Sequence, residues 1–303
     1  MSSPARSAAR RALGQAERGN LPAAWRLLHP HLNTLQTDPE FAWAWLVVAN
    51  AAEVGWRHRR RIAALIETFS SDTELAELGA ETLLNAIDSR PHDLDPRSDD
   101  DPARLALAAI DAALAAASSP GLLLWRGMAL RLLGPARAAE AVTALAAAVA
   151  RQPQEPTWRY ELALALKAAG RFREAVTALE RSGREDPEAK EDEGYWWNLA
   201  ICATGAGLGP LAQQAWAELG MNDGAFGPDG LPAVPLLADL QVRVRLGPGE
   251  HVRVSARPQS PCHGTLLAAA GDLPQGATAL WDVTPVEPVE PGEMPCLPLL
   301  ARL

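Results

Sequence analysis

The chain has 303 residues, 48% of them hydrophobic and 21% charged, with a net charge of −9. That composition suits a globular protein with a sizeable core and excludes a disordered or collagen-like chain. The charge is uneven: residues 1–61 hold nine Arg against four acids, and the remainder is strongly acidic, which argues against broad nucleic-acid binding.

From Ser3 the sequence reads as helices of 12–16 residues in antiparallel pairs, as far as about Gly220. Apolar positions recur at i, i+3, i+4 and i+7, as in Leu105, Ala108, Ala109 and Ala112. Gly and Pro punctuate the turns at Gly19–Pro22, Asp38–Pro39, Gly134–Pro135, Gly170 and Gly209–Pro210. Between Ser89 and Pro102 lies a polar, Pro-rich stretch expected to be an exposed loop, with Asp101 as the N-cap of the helix that follows. No secretory h-region follows Met1, no run reaches the roughly 18 apolar residues of a membrane span, and three cysteines (Cys202, Cys262, Cys296) lack a disulfide framework. These features predict a cytoplasmic chain that does not insert in membranes. The excess of Arg over Lys, with abundant Ala, reads as a GC-rich coding bias of bacterial type.

One stretch repeats after 34 residues. Trp125, Met128, Ala129, Leu132, Ala141, Leu145, Ala148 and Pro153 are echoed by Arg159, Leu162, Ala163, Leu166, Ala175, Leu179, Ser182 and Pro187. Small residues, large apolar residues and a closing Pro recur in register, the signature of a helix–turn–helix solenoid. The best copy runs from Trp158 to Pro187, a third starts at Trp196 (Leu199, Ala200, Gly207, Ala212, Trp216), and weaker ones hold Ala8, Ala12, Gly19, Ala24 and Leu28, then Trp43, Leu46, Val47 and Asn50. On these residues the segment 3–220 resembles the tetratricopeptide repeat family. The resemblance implies a mainly α chain, a right-handed α-α superhelix of five to six helical hairpins.

After Gly220 the character changes. Asn222-Asp223-Gly224 and Gly227-Pro228-Asp229-Gly230 read as a linker. Alternating runs at Leu240–Leu246, Val252–Val254 and Leu280–Val283 predict short strands, with Leu246-Gly-Pro-Gly-Glu250 as a hairpin turn. Abundant Pro suggests that several strands are edges. The expected domains are therefore 1–220, helical repeats, and 221–303, a small β-rich module that caps the last hairpin or offers a strand edge to a partner.

The resemblance places the first helix of each pair on a concave face. That face would carry Arg126, then Tyr160 and Lys167, then Trp197 and Asn198, aromatic and basic groups suited to a peptide groove. The competing reading of Trp197 and Tyr160 is packing against a neighbouring element, and most of the ten Trp fall at core spacing. Some members of the family hold carboxylates with Lys, Arg and Asn; here only Lys167, Asn198 and Arg126 could serve. A second candidate is the basic run Arg57, Arg59, Arg60 and Arg61, able to hold phosphate or an acidic segment such as Asp99–Asp101, or simply a solvated helix face. Ser260-Pro261-Cys262-His263-Gly264 invites a metal or thiol reading, but the nearest further ligands, His251 and Cys296, make no metal spacing. A tight turn with Gly264 bending the chain and Cys262 partly buried is the simpler account. No phosphate loop or nucleophile elbow appears.

The expectation is a non-catalytic scaffold or adaptor that binds a protein or peptide partner, with no cofactor, no metal and no nucleic acid. One alternative is an inhibitor or immunity-type protein that blocks a toxin or enzyme. The other is a metal- or thiol-dependent activity at Cys262–His263.

Overall fold

The computed structural model describes residues 3–87, 98, 100–221, 225–227, 229–233, 239–247, 250–282 and 296–303. The expected linker residues 222–224 and 228, most of the loop at 89–102, the turn residues Pro248 and Gly249, Val283 and four of the prolines after it lie outside these. Contacts divide the chain into two compact units, Met1–Trp158 and Arg159–Leu303.

The first unit is helical. Its helices are α1 (Pro4–Ala16), α2 (Leu21–Leu28), α3 (Pro39–Ala51), α4 (Gly55–Thr68), α5 (Thr73–Asn85), α6 (Pro102–Ala116), α7 (Pro120–Leu132) and α8 (Ala138–Arg151). Their starts follow from local chemistry. Ser3, Asn20, Asp38, Asp72, Asp101 and Ser119 each accept a backbone N–H of the first turn. Pro4, Pro39, Pro102 and Pro120 open helices where no N–H partner is missed. Asp101 caps α6 as the sequence predicts, accepting from Ala103 and Arg104.

The first helices α1, α3, α5 and α7 pack on one another in sequence, and the second helices α4 and α6 do likewise. This is the neighbour-on-neighbour arrangement of a helical repeat, in which no hairpin buries its apolar face alone. One core runs through the unit, from Ala5 and Ala9 through Trp45, Ile62, Leu75 and Leu83 to Ile110, Leu122 and Ala129. Small residues set the spacing. A Cβ on Gly79 would lie 2.6 Å from Ile66 Cγ1, and one on Gly127 would lie 2.4 Å from Leu145 Cγ.

Several helices end in the same turn. The N–H of Gly19 bonds the carbonyl of Ala16 and that of Asn20 reaches Gln15. Glu53 and Val54 make the same two bonds to Asn50 and Ala49 after α3. Such a turn needs a residue in the left-handed region, which Gly supplies at Gly19 (φ 73°), whereas Glu53 adopts φ 52° with a side chain attached. For a non-Gly residue this costs about 1–2 kcal/mol.

The second unit holds α9 (Pro156–Ala168), α10 (Phe172–Glu185), α11 (Glu193–Gly205) and α12 (Gly209–Glu218), then five strands: β1 (Leu240–Gly247), β2 (Glu250–Ser260), β3 (His263–Leu266), β4 (Thr278–Trp281) and β5 (Cys296–Arg302). The strands form a closed barrel in chain order, antiparallel from β1 to β5, closed by a parallel β5–β1 pair (Gln241 opposite Cys296). Closure removes the open edges that the Pro content suggested. Pro258 is accommodated in β2, beside an irregularity between Pro258 and Ser260, and Pro298 faces Arg243 across the parallel pair. The barrel is filled by Val242, Val244, Val254, Ala256, Leu266, Ala279 and Trp281. Strands β3 and β5, unmarked by alternation, complete it.

Two corrections concern the Ser260–Gly264 string. Cys262 is fully buried, not partly, and Gly264 lies within β3. Gly264 is required by proximity instead of a bend: a Cβ there would sit 2.2 Å from the Arg257 carbonyl oxygen.

Replacement of Gly127 by Ala should destabilise the first unit by about 1–3 kcal/mol through overpacking against Leu145. Gly14→Ala meets nothing closer than Arg18 at 3.6 Å and should gain up to about 1 kcal/mol of helix propensity. Urea unfolding of the two variants checks the opposite signs.

Candidate functional site

Three of the five predicted groove residues meet in the second unit. Tyr160 and Lys167 lie on α9, a little under two turns apart, and Asn198 lies on α11. Lys167 Nζ donates to Asn198 Oδ1 at 2.7 Å and to Asp282 Oδ2 at 2.6 Å. Asn198 Nδ2 donates to the Tyr160 hydroxyl at 2.9 Å and to the Gly194 carbonyl at 2.7 Å. The Lys167 and Asp282 side chains are 12% and 16% exposed. The sequence reading missed Asp282, which follows β4 and is fixed by its own N–H bonding the Pro298 carbonyl. No period or spacing links residue 282 to residue 167; only the barrel brings them together.

Beside this pair the barrel lies on the last hairpins. A Cβ on Gly205 would collide with Phe172 and with Leu280 of β4. Asp282 thus completes a polar cluster whose other members all come from first helices.

The remaining groove candidates are apart from this cluster. Trp197 stacks edge-on against the buried Trp216, with ring centroids 5.2 Å apart. Arg126, in the first unit, donates to Asp111 at 2.6 Å. Arg159 stands where the repeat has Trp125, and it is buried with its guanidinium on Glu185.

The basic run on α4 has an acidic neighbour within the chain. Arg59 donates to the Asp100 carbonyl at 3.0 Å and to its carboxylate at 3.3 Å, and Arg60 reaches the same carboxylate at 2.5 Å. Those two arginines, Arg60 first, hold the Asp100 carboxyl below the usual carboxylate range. The Arg59 guanidinium also covers the Trp56 ring at 3.9 Å. Arg57 and Arg61 are exposed, and Asp99 lies outside the described residues. His58, between them, packs instead on Trp25 and Trp45.

At the Cys262–His263 turn, Ser260 Oγ accepts the N–H groups of Cys262 and His263 and is hydrogen-bonded to His263 Nδ1. Asp229 Oδ2 stands 3.4 Å from His263 Nε2. This is too long for a well-formed hydrogen bond to a buried ring nitrogen, so we read it as an electrostatic approach. Burial pushes the Cys262 thiol up to about 12 and the Cys202 thiol likewise. A thiol so held is protonated at neutral pH, the reverse of an activated nucleophile. Among the described residues no group of three or more His, Cys, Asp or Glu could hold a metal ion.

Residues 132–200, from the end of α7 into α11, match a family model described as tetratricopeptide repeat. That segment carries tetratricopeptide repeats. Among solved structures, these repeats are similar to a MamA RS-1 double mutant (16% identity, 72% of this chain and 94% of that one, TM-score 0.43). They are also similar to a thermophilic tetratricopeptide repeat protein of Thermus thermophilus (18%, 66% and 99%, 0.42). A third is MamA 41-end from Desulfovibrio magneticus RS-1 (16%, 73% and 93%, 0.40). No curated protein matches the sequence significantly. No described helix is long and apolar enough to cross a membrane.

Two measurements follow. Lys167→Ala leaves the Asp282 carboxylate largely buried without its cation and should cost about 3 kcal/mol, whereas the double variant Lys167→Met/Asp282→Leu should cost clearly less; chemical denaturation compares them. Burial lowers the His263 pKa from its ordinary 6.5, partly offset by Asp229, and burial followed by Arg61 and Arg57 lowers that of His58. The unfolded chain therefore binds protons before the folded one does. Stability should be complete above about pH 6.5 and fall as the pH drops below it, a decline reduced in His263→Gln. Melting temperatures between pH 7.5 and 5.5 test this, a window in which the carboxylates stay ionised.

Proposed function

We propose that the protein is a non-catalytic scaffold whose repeats hold a protein or peptide partner on their first-helix face. Tetratricopeptide repeats typically serve as such scaffolds, and the repeat model match supports that class. We further propose a repeat domain over 1–220, a small β-rich module over 221–303, a cytoplasmic setting and no nucleic-acid partner.

The observation that carries the groove reading is the Tyr160–Asn198–Lys167 cluster around Asp282. Two first helices contribute a chain of hydrogen bonds from the Asn198 amide, which bonds the Tyr160 phenol, to the Lys167 ammonium, and the ammonium alone meets the carboxylate. A surface that accepts a carboxylate from its own chain is chemically fitted to accept one from a partner. Partner entry at this end then competes with Asp282. Trp197 adds an aromatic group on α11, and Arg126 holds the corresponding first-helix position on α7. The acidic balance beyond residue 61 adds long-range attraction for a partner with a basic surface around its acidic anchor.

Pull-down from the native organism, read by mass spectrometry, tests the reading. Asp282→Asn, which frees Lys167, should raise recovery of one partner several-fold, and Lys167→Glu should abolish it. If both variants fold and recover the same amount as the parent, the first-helix face of α9 and α11 is not the docking surface.

A further inference from the structure

A second feature lies at the ends of α3 and α5 in the first unit. The left-handed turn that closes a first helix is built on Gly at Gly19, Gly170 and Gly207, each donating to the carbonyl three residues back, while the next N–H reaches five back. The second hairpin makes the same two bonds with Glu53, the one non-Gly residue at positive φ among those described. A residue that Gly would replace with less strain is held there for its side chain.

Glu53 stands on a cleft of about 620 Å³ whose lining includes Asn50, Gly55, Leu78, Thr82 and Asn85. Gly55 brings α4 against α5 so closely that a Cβ would meet the Thr82 carbonyl oxygen at 2.6 Å, which forms one wall. Across the cleft, Asn85 Nδ2 donates to Asn50 Oδ1 and Asn50 Nδ2 donates to Glu81 Oε1, both at 3.1 Å. This chain of bonds, which ends on Glu81, fixes the orientation of both amides. Asn50 and Asn85 lie in the last turns of α3 and α5, and neither last turn carries a basic residue. Two helix C-termini, each bearing partial negative charge, thus converge with Glu53 on a cleft with no Lys or Arg among its described lining residues.

We propose that this cleft binds a guanidinium group, an arginine side chain presented by a partner protein, with Glu53 as its counter-ion. The planar fork of Arg suits a carboxylate beside amide and backbone acceptors, and its methylene stem suits Leu78 and Val47. The site is separate from the Lys167 cluster in residues and in sign, so each stands or falls alone.

The probe is acetyl-Gly-Arg-Gly-amide, with acetyl-Gly-Gln-Gly-amide as control. Titration of the full chain is followed by the side-chain amide resonances of Asn50 and Asn85. The Arg peptide should give saturable shifts that the Gln peptide does not. Glu53→Gln, which keeps the strained backbone, should weaken binding about tenfold. Glu53→Gly should weaken it equally while raising the Tm by about 2–4 °C, so that loss of binding is not loss of fold. No saturable response, equal response to the two peptides, or unchanged affinity in Glu53→Gln overturns the proposal.

Discussion

Ala12, Ala24, Ala49, Ala76, Ala106 and Ala109 are buried to 0% exposure, and Gly79 and Gly127 sit where a methyl would collide with an adjacent helix. Close approach of helix backbones is the constraint on which the rest of the first unit depends. A small residue on one helix lets Leu145 or Ile66 of another fill the space directly, so each hairpin presents a tightly filled face to the next. The charged and aromatic groups that could recognise a partner are then fixed by rigid elements and not by loops, which lowers the entropic cost of binding.

A stack of hairpins ends in an apolar surface that needs a cover. The barrel lies against the last helices through Leu280, Phe172 and Gly205, and the pair of Lys167 with Asp282 sits among these contacts. An ion pair of this kind adds little net stability over an apolar substitute, but it penalises misplacement, because a shift of the barrel would strand two charges. Apolar packing supplies the adhesion and the ion pair fixes where the barrel rests. The Tyr160 hydroxyl and Asn198 amide extend that polar contact into the first-helix face.

The repeats were legible because their grammar is periodic: a large, a small and a Pro position returning every 34 residues leaves a trace in one chain. Asp101 as a cap was legible from its place before Pro102, and the register put Tyr160, Lys167 and Asn198, which the structure brings together, at first-helix positions. Asp282 has no such trace, since its role comes from a barrel closed by pairing strands far apart in sequence. Strands β3 and β5 escaped for a related reason: β3 is four residues long and buried at three of them, and β5 carries Pro298, which mimics an edge signal. Arg159 shows a further limit. The repeat position calls for a large apolar residue, and an Arg can fill it only because Glu185 stands ready on α10 to receive its head.

The burial of Lys167 also decides what reagents can see of this protein. The sequence has only two lysines, and one is enclosed with Asp282. Lys190, exposed between α10 and α11, is the side-chain amine left open to acylation, to cross-linkers or to enzymes that modify lysine. All three cysteine thiols are buried as well. Among its side chains, this protein offers amine reagents one accessible lysine, and that residue sits on the loop leading into α11.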